Sequence, residues 1–570
     1  MTEDIAITNS LDGAAQTEPH AAPECEASAT TPSKRKRPIE RFFSSRLYAL
    51  ILASLVLVGH ITGLEFYLNI PFILLSSLAL FTCRSIKPFI PTMLTFVYQV
   101  TLAHVPGYPT WSNYYAEPER IFIVLILVVI LVIAIIYYFI KNVLFHISPK
   151  TSPLFYPIIL LTLAFMTNGL LSDSWQSMDL IFGIAESLIF FPLFYMIYYG
   201  LKEERNEDIL SYMSYVAALV SIILISELIF FYTNIPFEEL LDRHGAIRKD
   251  VISLGWGGAN PAGYALVVLV PFLIRGAMRS RASILYFAIL VLTFVATLFT
   301  CARNALFFGA IAAAALVLIG CVYGKRKRMF TNLVSAGLVS VFLGCFIFVD
   351  KLEGLINYFK MIGLSDRGRN RLWEQALTYF NESPLFGVGF FGYIVENLSA
   401  TAAFIPDMAH NTPLQLLMAM GLFGFFAYFV YRIHSLKPFI VRPSIDKLVL
   451  FMVIFITLAT SIFDNFIFYF HTAFPYIISL ALAYRLCDED KEKREERRAA
   501  RQMKKANTKA AKAGTGAESD DQIEAEAYDS TEANPEPHPC NSTDTEASPT
   551  LADEQAIGTQ RAEHGIETLA

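Results

Sequence analysis

Charge is scarce in this sequence. Only 17% of its 570 residues are Asp, Glu, Lys or Arg, against 54% hydrophobic, a balance that excludes an ordinary water-soluble domain. Cysteine is scarce as well. Cys25, Cys83, Cys301, Cys321, Cys345, Cys487 and Cys540 show no paired spacing, which leaves no disulfide framework and no cysteine metal site, and they read as apolar fillers. No nucleic-acid footprint is visible either. The formal net charge of −6 is concentrated in the two tails and short loops, so that the middle of the chain is nearly neutral. Internal repeats of the kind that build many carriers are also missing.

What the sequence has instead is apolar length. Runs of roughly 20 residues recur, the number needed to cross about 30 Å of hydrocarbon as a helix, and the mean hydropathy is +0.46. The expectation is an all-α polytopic membrane protein of about fourteen transmembrane helices. They fall near residues 46–63, 66–83, 88–105, 121–140, 153–171, 180–200, 209–232, 261–278, 283–301, 304–322, 331–349, 413–431, 446–463 and 466–486. Basic residues then occupy alternate loops: Arg84/Lys87, Lys141/Lys150, Lys202/Arg205, Arg275/Arg279/Arg281, Lys325 to Arg328 and Arg432/Lys437/Arg442. By the positive-inside rule both termini are cytoplasmic.

The ends read differently. Residues 1–43 are rich in Ala, Thr, Glu and Pro without an apolar period, an expected disordered cytoplasmic tail. Its basic cluster, Lys34 to Arg37, lies too deep for a signal peptide, and no small-residue cleavage site follows the first apolar run. Residues 44–487 form the expected membrane domain. Residues 488–570 form a charged cytoplasmic tail, helical to about Lys512 and then acidic.

Two opposite-side loops are long, 233–260 and above all 350–412, and chemistry is expected there. The second opens with Ser365-Asp366-Arg367-Gly368-Arg369-Asn370-Arg371-Leu372-Trp373. Leu372, Trp373, Ala376, Leu377 and Phe380 recur at helical spacing, which predicts a short amphipathic helix on the membrane surface. Arg367, Arg369 and Arg371 either anchor it among headgroups or bind phosphate through paired hydrogen bonds.

Pro384-Leu385-Phe386-Gly387-Val388-Gly389 follows, its glycines permitting a turn or a close approach, and then Ala409-His410-Asn411-Thr412-Pro413. His410 stands one turn before an apolar helix, where a neutral imidazole takes a proton from a hydroxyl or simply caps the helix. Arg303, at the junction of two apolar helices, is a costly charge at that depth. It serves phosphate binding, or an ion pair with Glu186, Glu227 or Asp464.

Four blocks in this order resemble the O-antigen ligase and O-antigen polymerase family of bacterial envelope glycosyltransferases. They are Gly258-Ala259-Asn260-Pro261, Ala302-Arg303-Asn304-Ala305, Gly368-Arg369 with Trp373 and Pro384 to Gly389, and His410-Asn411 leading into Gly421-Leu422-Phe423-Gly424. Ala302 and Ala262 depart from the family, which often has serine and asparagine there.

The resemblance implies a metal-independent, inverting glycosyltransferase without a cofactor. It would use a polyprenyl-diphosphate-linked glycan as donor and a glycan, lipid or wall polymer as acceptor, at the outer face of the cytoplasmic membrane, alongside other envelope-polysaccharide assembly proteins. Arg303 and Arg369 would hold the diphosphate, Arg367 and Arg371 assisting. His410 would be the base, and Asn260, Trp373, Gly387, Gly389 and Asn411 would shape the loop. A lipid-linked sugar flippase or transporter is the rival reading, with Glu186 and Glu227 as its intramembrane sites.

Overall fold

The computed structural model describes residues 37–100, 118–254, 256–324, 326–347, 349–362, 369–392 and 409–515. The first 36 residues of the expected tail, Arg367, residues 393–408 of the long loop and the tail beyond 515 lie outside these. The described residues are helical. Among them the only β-pairing is two isolated bridges, Leu241 with Ile247 and Ser253 with Gly258, in the loop before residue 259.

The helices, in chain order, are α1 (Pro38–Phe43), α2 (Arg46–Thr62), α3 (Glu65–Thr82), α4 (Phe89–Gln99), α5 (Pro118–Asn142), α6 (Phe155–Met166), α7 (Ser177–Leu188), α8 (Phe194–Gly200), α9 (Asn206–Asn234) and α10 (Ala259–Val267). They continue with α11 (Val270–Arg279), α12 (Ser283–Phe299), α13 (Arg303–Tyr323), α14 (Lys327–Ile347), α15 (Val349–Ile362), α16 (Arg369–Glu382), α17 (Thr412–Ile440), α18 (Ile445–Thr460) and α19 (Phe470–Thr515). The chain divides into one compact unit of residues 1–496 and a second of 497–570, whose described part is the end of α19.

Among the described residues seven helical segments are long and apolar enough to cross a membrane: Glu65–Thr82, Glu119–His146, Ser177–Gly200, Asn206–Asn234, Ala259–Arg279, Arg303–Tyr323 and Thr412–Ile440. Arg46–Thr62, Phe155–Met166 and Ser283–Phe299 are apolar but shorter. The surroundings they are built for are read from α5, where Phe122, Leu125, Val129, Ile133 and Ile136 are all exposed. Such a stripe is stable only against lipid.

Three of the long segments are interrupted, each for a local reason. The stretch expected as one helix over 261–278 breaks between α10 and α11, because Pro271 has no N–H for the Val267 carbonyl. Pro192 sits in a wider turn, Ile189–Leu193, between α7 and α8. In α17 the backbone leaves the helix at Gly421, with φ +63° and ψ −162°. The last expected span starts later than read, at Phe470, after a tight turn over Phe466–Phe468.

α10 and α11 form the most enclosed of the long segments. They pack against α9, α12 and α13, with α11 and α13 also touching α18, while α16 lies on α17, α17 on α6 and α6 on α7. The first residues of α10, α13 and α17 and the end of α18 therefore gather at one end of the bundle.

Candidate active site

His410 lies immediately before α17 with φ +51°, a left-handed conformation that costs a non-glycine residue about 1–2 kcal/mol. Hydrogen bonds on both sides hold it there. The Ala409 N–H donates to Gln415 Oε1 at 2.7 Å, and Asn411 caps α17 by accepting the Leu414 N–H at 3.0 Å. The Thr412 N–H reaches the Ser461 carbonyl at 2.8 Å, tying the start of α17 to the end of α18.

That tie brings His410 onto Asp464. Nδ1 meets the Asp464 Oδ1 at 2.8 Å; the carboxylate is 5% exposed and the imidazole 42%. Asp464 also accepts the Asn465 N–H at 2.9 Å and the Asn260 side-chain amide at 3.4 Å. Asn260 in turn accepts a hydrogen bond from the Lys249 ammonium. Lys249, Asp250, Ile252, Gly258, Ala259, Asn260 and Pro261 line a cleft of about 310 Å³ beside this chain of contacts.

Tyr264 stands one turn along α10 from Asn260. Tyr264 packs with Ala302 and Ala305. Its hydroxyl is hydrogen-bonded to Asn304 and lies in the fields of Asp464 and Arg369. Arg303, half-buried, is the first residue of α13, beside Asn304, and Arg369, also half-buried, is the first of α16. Gly263 allows this junction: a Cβ there would stand 2.5 Å from the Ala302 Cβ. Arg371 is exposed on α16, and Trp373 is half-buried there.

The glycine motifs do something other than meet a ligand. At the break in α17 the Met418 and Ala419 carbonyls receive the Val388 and Gly389 N–H groups at 2.9 and 3.0 Å. The Leu422 and Phe423 N–H groups donate to the Pro384 and Leu385 carbonyls at 2.8 and 3.1 Å. Four backbone groups freed by the break are thereby satisfied within the protein, as a lipid setting demands. A Cβ on Gly387 would stand 2.3 Å from the Ala419 backbone, and one on Gly389 would meet the Asp179 carboxylate at 2.6 Å. Asp179 itself accepts the Phe391 N–H at 2.8 Å.

Several participants were not singled out from the sequence. In the sequence Asp464 reads only as a partner for Arg303, although an acid at the end of an apolar helix is itself a signal. Lys249 and Tyr264 carry no local mark. The loop bearing Lys249 is shaped by Asp242, whose carboxyl is held below its usual range by the Ala246 N–H, joined by that of His244. It is anchored by Trp256, whose indole N–H donates to the buried Glu227 at 2.7 Å, with His60 Nε2 3.0 Å from the other carboxylate oxygen. Among the described residues no three His, Cys, Asp or Glu side chains come together as a metal set.

Fold and site together define a helical membrane protein in which an imidazole–carboxylate pair lies where four helix ends converge. Residues 266–429 match the family model described as O-antigen ligase. Over that segment the chain is similar to the O-antigen ligase family, in line with the resemblance read from its motifs. No curated protein matches the chain. The matched segment contains Arg303, Arg369 and His410; Lys249, Asn260 and Asp464 lie on either side of it.

Proposed function

We propose that the protein is a membrane glycosyltransferase that transfers or polymerises a polyprenyl-diphosphate-linked glycan. The observation that carries the reading is the His410–Asp464 contact at 2.8 Å, with the Asn260 amide on the same carboxylate, within and around the segment that matches O-antigen ligase. With Nδ1–H donated to Asp464, the lone pair of His410 Nε2 is available for a proton. Nε2 takes the acceptor hydroxyl's proton as that oxygen bonds to the anomeric carbon. The bond from this carbon to the diphosphate oxygen breaks, and the diphosphate leaves with the electron pair.

The attack comes from the face opposite the leaving group, so the anomeric centre inverts. Negative charge grows on the departing diphosphate, and guanidinium groups already fixed around it stabilise the transition state more than the bound donor. Arg303 and Arg369 take this role, with Arg367 and Arg371 assisting. No metal is assigned to the reaction. In this reading the chain crosses a bacterial cytoplasmic membrane about fourteen times with both termini cytoplasmic, the site faces outward, and the lipid-facing helices accommodate the polyprenyl chain.

The test uses the purified full chain in detergent, with polyprenyl-diphosphate oligosaccharide and candidate acceptors in the presence of a chelator. Wild type forms or elongates glycan. His410→Ala and Arg369→Ala lose transfer by about 10²-fold or more. Equal activity of all three overturns the assignment.

A further inference from the structure

The end of the bundle away from His410 carries a second built cavity. From Ile445 to Thr460, α18 advances about 24 Å, and from Ala259 to Arg279 the α10–α11 segment advances about 30 Å. The far ends of these elements meet the start of α9. There Glu207, Asp208, Ser211, Ser214, Arg275, Gly276, Arg279, Ser280 and Tyr286 enclose a cavity of about 200 Å³.

Arg275 is the reason to look there. It is 2% exposed, its Nε donates to Asp446 Oδ1 at 2.8 Å, and its Nη2 is buried with no hydrogen-bond partner among the described residues. Leaving a charged donor in that state costs more than an ordinary unsatisfied group. Arg279 stands beside it, its Nη1 3.2 Å from the other Asp446 oxygen and 3.9 Å from Glu207. A third guanidinium, Arg46, donates to Ser211 Oγ at 3.3 Å. The Ser211 hydroxyl adds a further donor to this wall, while that of Ser214 donates to the Leu210 carbonyl at 3.2 Å.

We propose that this cavity binds a phosphate group, that of a membrane-lipid headgroup or a free phosphate compound. Phosphate oxygens supply the acceptor that Arg275 Nη2 lacks and complete the shell of Arg279 and Ser211, in the bidentate manner that suits guanidinium. Glu207 and Asp208, both more than half exposed, sit at the rim, where their carboxylates fit a headgroup that also carries an amine. The exposed Ile284 and Leu285 at the start of α12 lie on the path acyl chains would take.

The probes are phosphatidylethanolamine, diacylglycerol of the same chains, and soluble phosphoethanolamine, each added to lipid-stripped full-chain protein in detergent. Retained adducts are read by native mass spectrometry and the unfolding midpoint by intrinsic fluorescence. Wild type retains phosphatidylethanolamine and is stabilised by it, whereas diacylglycerol does neither. Ser214→Leu, which fills the cavity, and Arg279→Gln, which leaves the Arg275–Asp446 pair intact, each weaken retention about tenfold or more.

Arg279→Gln is partly exposed and folds whether or not Ser214→Leu does. Binding of soluble phosphoethanolamine alone, with the same sensitivity to Arg279→Gln, supports the site and identifies a free ligand. Equal retention of both lipids, or retention unchanged in Arg279→Gln, overturns the proposal.

Discussion

His410 donates its Nδ1–H to Asp464 at 2.8 Å, and the carboxylate that receives it is already fixed by the Asn465 N–H and the Asn260 amide. An imidazole so held presents one tautomer and one orientation, the condition for an efficient base. Its left-handed backbone is strain kept in place by Gln415 and the Asn411 cap, a cost that fold stability alone does not require. Asp464→Asn therefore lowers kcat by about 10²–10⁴-fold with little change in donor KM, and adding His410→Ala removes little more. Steady-state kinetics of the purified variants check this; full kcat in Asp464→Asn would make the pair a mere helix-end bracket.

Lys249 reaches the same network from the loop before α10, hydrogen-bonded to Asn260 and lining the 310 Å³ cleft. In the proposed reaction its charge faces the space the phosphorylated donor would enter, yet it stands one residue removed from Asp464, which would orient the base. Lys249→Gln raises the donor KM roughly tenfold and leaves kcat within about threefold, a split expected of binding shared by ground and transition states. A fall confined to kcat would contradict that role.

The helical class, most helix positions and the four motif blocks were legible because lipid imposes a coarse rule, about 20 apolar residues per crossing. The breaks were not all legible. Pro271 and Pro192 mark theirs, but Gly421 ends a helical run only because Pro384, Leu385, Val388 and Gly389 supply backbone partners from elsewhere. His410 was visible by its place before an apolar helix. Its partner was not, because pairing residue 410 with 464 depends on where α18 ends relative to the start of α17, a tertiary fact without local pattern. Lys249 was hidden for the same reason.

Gly387 and Gly421 face one another across this clasp. Each has positive φ, and a Cβ on either would stand within 2.4 Å of the opposing backbone. Strain and collision act together, so Gly387→Ala or Gly421→Ala destabilises the protein by about 2 kcal/mol or more. The double variant is less than additive, since either change alone already forces the two segments apart. Unfolding midpoints in detergent measure both statements; wild-type midpoints would show that the clasp gives way without cost.

The topology makes a separate demand. With the native cysteines replaced, Asp250→Cys reacts with a membrane-impermeant maleimide added to intact cells, and Lys327→Cys reacts only after permeabilisation. Both positions are exposed, so access and not burial decides the result. The opposite pattern would turn the protein over in the membrane and move the site to the inner face.

Glu227 separates a transferase from a carrier. It lies on α9, buried, between the Trp256 indole at 2.7 Å and the His60 imidazole at 3.0 Å. In a proton-coupled carrier such an acid must exchange its proton. In the present fold its contacts anchor the loop that carries Lys249, because Trp256 also stacks edge-on against Tyr98 at 4.7 Å and His471 at 5.7 Å. Glu227→Gln keeps an acceptor for the indole, so glycan transfer stays within about threefold of wild type. Trp256→Phe keeps the ring but strands a buried acceptor, which costs about 1–3 kcal/mol, and by loosening the loop it raises the donor KM as Lys249→Gln does. Transfer assays with unfolding midpoints on both variants read the difference. A folded Glu227→Gln protein without transfer would show the acid handling a proton of its own.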